Sequence, residues 1–376
     1  MQVRKVTLWF VIAALLVSFA VALTGCGGED ADTSGDGGGG EDAGAEPIKV
    51  ALLLPETKTA RYETQDRPLF EAKVKELAPD AEILYSNANQ DATEQQSQAD
   101  AALTNGADVL VLDPVDSASA ASIVAKAKDQ GVPVISYDRL ILDADVDYYI
   151  SFDNEQVGKL QGQALLDKLT EDGNAGKTIV MINGSPTDNN ATLFKAGAHS
   201  ILDGKVEIGA EYDTPDWSPD QAQDEMDQAI TKLGKDGFVG VLAANDGTAG
   251  GAIAAMKGAG IDPATRPITG QDAELAAIQR ILLGEQYMTV YKAIKPEAEA
   301  AAELAVALAK GEPVPSSMTL SKVNNGMKDV DSILLAPVAV MRDSIGDTVV
   351  ADGFWTLEQL LTTPELEAAA AEVGLQ

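Results

Sequence analysis

From Ile48 onward the chain alternates short apolar runs with longer segments of helical periodicity, and this alternation limits the folds it can adopt. Continuous apolar runs are typical of strands that are covered on both faces. Strands that alternate with helices favour parallel, doubly wound sheets, and about ten strands are enough for two such sheets. The pattern therefore predicts an α/β protein with two lobes, whose candidate strands are residues 48–54, 81–85, 109–112, 132–137, 148–152, 178–182, 206–210, 238–243, 266–269 and 287–291.

Two of the intervening helices carry recognisable start signals. Thr93-x-x-Gln96 and Ser218-Pro219-x-Gln221 match the capping box, in which the first side chain and the fourth residue satisfy each other's backbone N–H groups. Pro219 also suits the first helical position, where no backbone N–H is needed. These signals predict helices that begin near residues 93 and 218.

Length and charge exclude several classes of protein. A chain of 376 residues exceeds what one hydrophobic core usually supports, which agrees with two lobes. The 59 acidic residues outnumber the 27 basic residues, and a net charge of −32 argues against binding to nucleic acid. With one cysteine and one histidine, the chain has no internal disulfide and cannot build a cysteine-cluster zinc site. We expect no metal and no cofactor.

The first 46 residues predict an export signal and a tether. Arg4 and Lys5 precede an apolar run over residues 6–23, which could also span a bilayer as a permanent anchor. The ending Leu23-Thr24-Gly25-Cys26 instead resembles the lipobox of bacterial lipoprotein precursors, so residues 1–25 are the predicted signal peptide and Cys26 the predicted lipidation site. Residues 26–46 are rich in glycine and acidic residues, a composition typical of an extended tether.

Polar residues follow the predicted strands. In parallel sheets, ligands bind beyond the carboxyl ends of the strands, so these residues are candidates for a site between the lobes. A monosaccharide needs carboxylates and amides that pair with its hydroxyls, basic side chains that donate, and aromatic rings against its C–H faces. The polar candidates are Asp138, Arg139, Asn189, Asn190, Asn245, Asp272 and Lys292, with Asp113 as a weaker one, and the aromatic candidates are Trp217 and Tyr62.

Other interpretations of these residues remain open. Asp138 and Arg139 could form a surface ion pair, Asn189 and Asn190 could cap a helix, and Trp217 could shield the core. The pair Asp138 and Asp272 could also serve a glycosidase, which needs two carboxylates. His199 falls within a predicted helix, where a packing or surface role is more common than ligand binding.

Six motifs follow one another along the chain: Tyr137-Asp138-Arg139, Tyr149-Ile150-Ser151-Phe152-Asp153-Asn154, Gly184-Ser185-Pro186-x-Asp188-Asn189-Asn190, Asn245-Asp246-x-Thr248-Ala249-Gly250-Gly251, Gly270-Gln271-Asp272-Ala273 and Met288-Thr289-Val290-Tyr291-Lys292. They occur in the order found in periplasmic xylose-binding proteins, and the chain resembles that family over residues 48–350. It is also similar to multiple-sugar (glucose and galactose) binding proteins, especially in Pro55-x-x-x-x-Ala60-Arg61-Tyr62.

The resemblance implies two Rossmann-like lobes joined by a three-segment hinge, the periplasmic binding protein type I fold. Crossings near residues 151, 292 and 335 imply an N-terminal lobe of residues 47–151 and 293–335 and a C-terminal lobe of residues 152–292 and 336–376. A sugar would be clamped by Asp138, Arg139, Asn190, Asn245, Asp272 and Lys292, with Trp217 stacked on its ring. Arg61 and Tyr62 match the entrance position of the first lobe, where tryptophan is usual in place of Tyr62. Asp113 aligns with a position that some pentose binders use.

The resemblance thus implies a monomeric, lipid-anchored receptor on the outer face of a bacterial membrane or in the periplasm. It would bind a monosaccharide, D-xylose first, and deliver it to the permease of an ATP-driven (ABC) importer by hinge closure, without catalysis. The main alternative is a glucose/galactose-type multiple-sugar binder that also serves a chemotaxis or kinase sensor. A sugar-responsive repressor would need an N-terminal DNA-binding helix pair and a basic face, and residues 1–46 offer neither.

Overall fold

Seven strands form the larger sheet, in the spatial order β2-β1-β3-β4-β5-β11-β10. All neighbours pair in parallel except the edge hairpin β10–β11, which is antiparallel. We call the elements around this sheet the first lobe. Its strands are β1 Lys49–Leu54, β2 Glu82–Asn87, β3 Val109–Leu112, β4 Val134–Tyr137, β5 Tyr148–Phe152, β10 Ser321–Asn324 and β11 Asp329–Leu335.

The second lobe is built on five further strands. Three of them are parallel in the order β7-β6-β8, and β9 pairs antiparallel with β12. A single parallel bridge between Val241 and Ile268 and a hydrogen bond from Tyr287 N–H to the Ile268 carbonyl connect the two groups. The strands are β6 Thr178–Asn183, β7 Glu207–Asp213, β8 Val241–Ala243, β9 Met288–Tyr291 and β12 Val338–Met341.

Helices cover both faces of these sheets. In the first lobe they are α1 Arg67–Leu77, α2 Ala92–Thr104, α3 Ala121–Asp129 and α9 Ile294–Ala309, with α1 packed against α9. In the second lobe α4 packs against α5 and α6 packs against α7. The helices of this lobe are α4 Asn154–Glu171, α5 Asn189–Leu202, α6 Pro219–Leu233, α7 Asp246–Gly258, α8 Leu275–Leu282, α10 Leu357–Leu360 and α11 Pro364–Glu372.

Apolar residues of the strands account for the cores. Val50, Leu52 and Leu54 of β1 face one side of the sheet and pack with α1 and α9, while Ala51 and Leu53 face α2 and α3 on the other side. Every strand residue from Val50 to Leu54 is at most 1% exposed. The unbroken apolar run of β1 therefore reflects burial on both faces, as expected for a central strand of a parallel sheet.

Of the two predicted helix caps, one is confirmed and the other is wrong. Ser218 caps α6 by accepting a hydrogen bond from Gln221 N–H, with Pro219 at the first helical position. The prediction that Thr93 caps α2 is wrong, because α2 begins one residue earlier and Asp91 accepts hydrogen bonds from the N–H groups of Thr93 and Glu94. A carboxylate two residues upstream replaces the hydroxyl as the acceptor for the first turn.

Nine of the ten predicted strands are confirmed to within a few residues. The exception is 266–269, where only Ile268 makes a bridge, because Pro267 lacks the N–H that a ladder requires. Strands β10, β11 and β12 were not predicted: β10 and the start of β11 are largely polar, and Pro337 interrupts the apolar run of residues 333–341 that forms the end of β11 and all of β12. In the folded chain β11 lies beside β5 and β12 beside β9, so that the chain passes between the lobes a third time at residues 335–338.

The computed structural model describes residues 46–375. The predicted signal peptide, the lipidation site Cys26 and all but the last residue of the tether lie outside this range. Between residues 46 and 375, none of the helices combines the length and the hydropathy that a membrane span requires.

Candidate ligand-binding site

A cavity lies where the carboxyl ends of strands from both lobes meet, and it gathers most of the predicted residues. The predicted residues that line it are Tyr62, Asp138, Arg139, Asn190, Trp217, Asn245, Asp272 and Lys292, each at most 5% exposed. Four other residues line the cavity that were not among the predicted site residues, although Asp188 and Gln271 belong to the motifs quoted above; the four are Thr59, Asp188, Phe194 and Gln271.

A wider groove on the second lobe contains none of the predicted residues. It runs between the end of α4, the segment 264–267 and the end of α8, and Lys168, Arg266 and Arg342 are among its lining residues. The cavity between the lobes is the better candidate, because its polar side chains are buried and converge on one space.

Three basic side chains, Arg61, Lys292 and Arg139, stabilise the charged form of Asp138. Its backbone has a positive φ of 54°, directly after β4. The Tyr62 hydroxyl donates to Oδ2 at 2.9 Å, while Oδ1 lies 3.6 Å from Arg61 Nη1 and 3.8 Å from Lys292 Nζ. Burial opposes the charge on Asp138, but Arg61, Lys292 and Arg139 outweigh it and hold the pKa of the carboxyl well below its usual range. No donor among residues 46–375 hydrogen-bonds to Oδ1, which leaves an acceptor for a ligand.

Arg139 does not form the surface ion pair with Asp138 that the sequence left open. It is 2% exposed, and its Nε lies 3.0 Å from Asp188 Oδ2 of the second lobe and 3.6 Å from Asp113 Oδ1 of its own lobe. Within the described chain, neither carboxylate oxygen of Asp113 receives a hydrogen bond. Burial therefore raises the pKa of Asp113 well above its usual value, although Arg139 acts in the opposite direction.

Three predicted residues lie outside the lining. Arg61 is one layer behind, where it donates two hydrogen bonds to Asp66, at 2.9 and 2.6 Å, and one to Glu297 at 3.1 Å. Asp113 lies behind Arg139. Asn189 is the first residue of α5, and its backbone N–H donates to Ser117 Oγ at 3.1 Å, which joins the two lobes.

Helix starts position the amides of the second lobe. Asn245 caps α7, with its Oδ1 accepting from Thr248 N–H at 2.8 Å and Thr248 Oγ1 accepting in return from Asn245 N–H. Asn190 lies in the first turn of α5, whose cap is Asp188, and its amide donates to the Asp138 carbonyl at 3.0 Å. Since each amide is tied to the start of a helix behind the cavity, the backbone fixes where its polar atoms point.

Trp217 forms part of the cavity wall. Its indole N–H donates to Asp188 Oδ2 at 3.0 Å, and its ring meets Phe194 edge to face with a centroid distance of 6.2 Å. The ring also lies against Gly184, where an added Cβ atom would come within 2.0 Å of it. A residue larger than glycine at position 184 would therefore displace the indole.

Asp272 and Lys292 form an ion pair in the cavity lining, with Lys292 Nζ 3.1 Å from Asp272 Oδ1. The ion pair does not have the geometry of a hydrogen bond, and no donor in the part of the chain that the structure describes hydrogen-bonds to Asp272 Oδ1. Asp272 has a positive φ of 93°, a strained conformation that its N–H stabilises by donating to the Val290 carbonyl at 2.8 Å. Asp246 supports the same turn, since its Oδ2 accepts from Glu274 N–H at 2.9 Å.

His199 lies on α5 and does not line the cavity. Its ring nitrogens contact Asp203 at 2.8 Å and Glu211 at 3.1 Å. It is a half-buried side chain with acidic neighbours, as the interpretation as a surface or packing residue predicts.

The cavity thus offers buried acceptors at Asp138, Gln271 and Asp272, donors at Arg139 and Lys292, and an indole face. Acceptors and donors distributed around an aromatic wall suit a ligand with several hydroxyl groups on an apolar frame, because each hydroxyl both donates and accepts. A buried group without a hydrogen bond costs about 1–3 kcal/mol, so such a ligand would gain by supplying the missing bonds.

Comparison with known proteins identifies the family. Residues 50–313 match the model of the periplasmic binding protein domain. The chain is 40% identical to the D-xylose-binding periplasmic protein of Escherichia coli (strain K12), over 83% of this chain and 92% of that protein. It is 34% identical to the multiple sugar-binding periplasmic receptor ChvE of Rhizobium radiobacter, over 83% of this chain and 92% of that one.

A solved structure agrees with this result. The ABC transporter solute binding protein of Clostridium phytofermentans with bound β-D-glucose superimposes with a TM-score of 0.75 at 30% identity, and the match covers 83% of this chain and 99% of that one. These relatives are binding proteins and not enzymes. The chain belongs to the periplasmic binding protein family, with the type I fold, and within it to the group of xylose- and multiple-sugar-binding proteins.

Proposed function

We propose that the protein is a lipid-anchored extracytoplasmic receptor that binds a monosaccharide, D-xylose first, and delivers it to an ABC importer. The observation that carries this proposal is the pair of buried carboxylate oxygens, Asp138 Oδ1 and Asp272 Oδ1, that face one cavity among residues 46–375 without a hydrogen-bond donor. Lys292 lies between them, 3.8 and 3.1 Å away. Two vicinal hydroxyls of a sugar could donate to the two carboxylates while their oxygens accept from Lys292.

D-xylose is our first choice because two relatives with that name, from Escherichia coli and Haemophilus influenzae, are 40% and 38% identical to this chain. A neutral sugar also suits a cavity whose carboxylates, Asp138, Asp188 and Asp272, already face Arg61, Arg139 and Lys292 of the protein. The ligand then supplies hydrogen bonds without adding a charge to a buried network, which would be costly.

The proposed mechanism is hinge closure. We propose that the N-terminal lobe comprises residues 47–151 and 293–335 and the C-terminal lobe residues 152–292 and 336–376, with the hinge at the three crossings. The lining side chains are almost fully buried, so a ligand could enter only if the lobes separate. Closure adds the contacts of the second lobe to those of the first, and a sugar therefore shifts the population toward the closed form. The importer's permease would recognise that form.

The anchor rests on the sequence of the first 46 residues. Acylation of Cys26 would hold the binding domain near the outer face of the membrane through the glycine-rich tether. We expect the full-length protein to incorporate a radiolabelled fatty acid and Cys26→Ala to incorporate none. Equal incorporation by both proteins, or none by either, would contradict the lipid anchor without affecting the sugar site.

A second candidate is a multiple-sugar binder that also serves a chemotaxis or kinase sensor. It is supported by the similarity to the multiple sugar-binding receptor ChvE and by the neighbouring structure with bound β-D-glucose. The hydrogen-bonding groups described above suit a hexose as well as a pentose, and the two candidates differ in which sugars stabilise the protein.

A thermal-shift panel of monosaccharides tests both candidates. A sugar present at one hundred times its dissociation constant stabilises the folded protein by about 2.7 kcal/mol, so we expect a clear rise in melting temperature with D-xylose. Stabilisation by D-glucose and D-galactose of the same size would favour the second candidate. Asp272→Ala should remove the shift, whereas Asp129→Asn, an exposed position on α3, should retain it. No shift with any monosaccharide would reject both candidates.

A further inference from the structure

Asp188 contacts three cavity-lining residues at the point where the lobes meet. It is 3% exposed and caps α5, with Oδ1 accepting from Asn190 N–H at 2.8 Å. Oδ2 accepts from the Trp217 indole N–H at 3.0 Å, and Arg139 Nε lies 3.0 Å from the same oxygen. Both oxygens are therefore engaged with residues of the protein, which favours a role in holding other groups over a role as the main acceptor for a ligand.

The three contacts of Asp188 differ in whether they require the two lobes to be together. Asn190 and Trp217 belong to the same lobe as Asp188, so their hydrogen bonds do not depend on closure. Arg139 belongs to the first lobe, where its guanidinium also donates to the Pro114 carbonyl and the Tyr62 hydroxyl, both at 3.3 Å. The contact between Arg139 and Asp188 crosses the cavity and requires the lobes to be together.

We propose that Asp188 is a positioning residue that orients Trp217 and Asn190 before the ligand enters and then binds Arg139 when the lobes close. This inference rests on the proposed sugar-binding function. An ion pair that forms only in the closed state stabilises that state selectively, and it therefore slows dissociation of the sugar more than it speeds association.

The test is the variant Asp188→Asn with Asp153→Asn as its matched control. Asparagine caps helices about as well as aspartate, so both variants keep their helix starts. Asp153 caps α4 of the same lobe through a bond to Gln156 N–H, and it is exposed and absent from the cavity lining. Asp188→Asn loses the charge that faces Arg139 and, with Oδ1 still capping α5, places an amide N–H₂ group against the Trp217 indole N–H.

We expect Asp188→Asn to raise the dissociation constant for the best sugar at least tenfold, with most of the change in the dissociation rate in stopped-flow measurements. The loss is bounded because Asp113, 3.6 Å from Arg139, can take over part of the pairing. Asp153→Asn should stay within twofold of the unmodified protein. Asp188→Ser, which also caps but is shorter, should slow association little and speed dissociation in the same way.

A second measurement separates positioning from a purely structural role. With Trp9→Phe and Trp355→Phe in the background, Trp217 is the remaining tryptophan of the 376-residue chain. Asp188→Asn should shift the emission of Trp217 in the sugar-free protein, because the indole N–H loses its carboxylate partner, and Asp153→Asn should leave it unchanged. A structural role would instead lower the melting temperature or the number of binding sites in calorimetry while the remaining sites kept their dissociation rate.

Three results would overturn the inference: an Asp188→Asn protein with an unchanged dissociation rate, an unchanged Trp217 emission, or an effect no larger than that of Asp153→Asn. Failure of the underlying function is recognised separately. If the unmodified protein binds no monosaccharide, the proposed function is wrong, whereas normal sugar binding by Asp188→Asn contradicts only the role of Asp188.

Discussion

The two walls of the cavity differ in the interactions that hold their polar groups. The ionic wall, which we define as Tyr62, Asp138 and Arg139 of the first lobe, depends on charges that balance one another, with Arg61 behind them. The amide wall, which we define as Asn190, Trp217 and Asn245 of the second lobe, depends on neutral groups. Asn190 lies in the first turn of α5, the Trp217 indole donates to Asp188, and Asn245 caps α7. A change in the ionic wall should therefore disturb several partners, while a change in the amide wall should remain local.

The largest effect is expected for Asp138→Asn in the ionic wall. The substitution leaves Arg61 and Lys292 facing an uncharged amide in a buried site, and loss of one partner from such a network costs about 3 kcal/mol or more. We expect sugar affinity to fall more than about a hundredfold in isothermal titration calorimetry. The control Asp129→Asn makes the same chemical change at an exposed position of the same lobe, and it should bind normally.

A smaller effect is expected for Asn190→Ala in the amide wall. The variant loses one neutral amide, including its bond to the Asp138 carbonyl, and the helix cap Asp188 remains in place. A neutral hydrogen bond contributes about 0.5–1.5 kcal/mol, so affinity should fall by up to about tenfold. The adjacent Asn189→Ala, outside the lining, should change affinity less than twofold. Equal losses for Asp138→Asn and Asn190→Ala would show that the two walls do not differ as described.

The smallest effect concerns pH and Asp113 behind the ionic wall. Burial raises the pKa of Asp113 well above its usual value in this closed form. When the lobes separate, Arg139 loses Asp188 and can pair with Asp113, which lowers that pKa. The sugar-bound form then binds more protons, and affinity should fall as pH rises between the two pKa values, by less than tenfold for each pH unit.

Calorimetry of the unmodified protein from about pH 5 to about pH 8, in buffers with different ionisation enthalpies, measures this proton uptake. Asp113→Asn carries no titratable proton and should bind with an affinity that does not depend on pH over the same range. Uptake that persists undiminished in Asp113→Asn would assign the proton to another carboxylate. A gain in affinity with rising pH would contradict the sign of the prediction.

The sequence was informative about strands and about residues that directly follow them. Asp138, Arg139 and Asn245 line the cavity because parallel strands bring their carboxyl ends to one place, and Lys292 lines it because it directly follows β9. The ends of these strands can be located from apolar runs. The strand β11 could not be located in this way, since it begins with Asp329 and Asp331 and gains its place by pairing with β5. Its register depends on the folded sheet and not on local composition.

The direction of individual side chains could not be read from the sequence. Arg61 and Tyr62 are adjacent, yet Tyr62 faces the cavity while Arg61 turns away to Asp66 and Glu297. Asn189 and Asn190 differ in the same way on the first turn of α5. Asp188 was recognised as part of a motif, but its contact with Arg139 joins residues of two lobes, and no spacing in the chain encodes which side chains meet across them.

The close approach of Gly184 to Trp217 has a consequence for how this site can change in evolution. Because an added Cβ atom would come within 2.0 Å of the indole, positions 184 and 217 cannot vary independently. An alanine at 184 would have to be accompanied by a smaller ring or an aliphatic residue at 217, and the pocket would then present a different surface to its ligand. Related receptors that have lost this glycine should therefore also have lost the tryptophan, and their ligand preferences should diverge at that step.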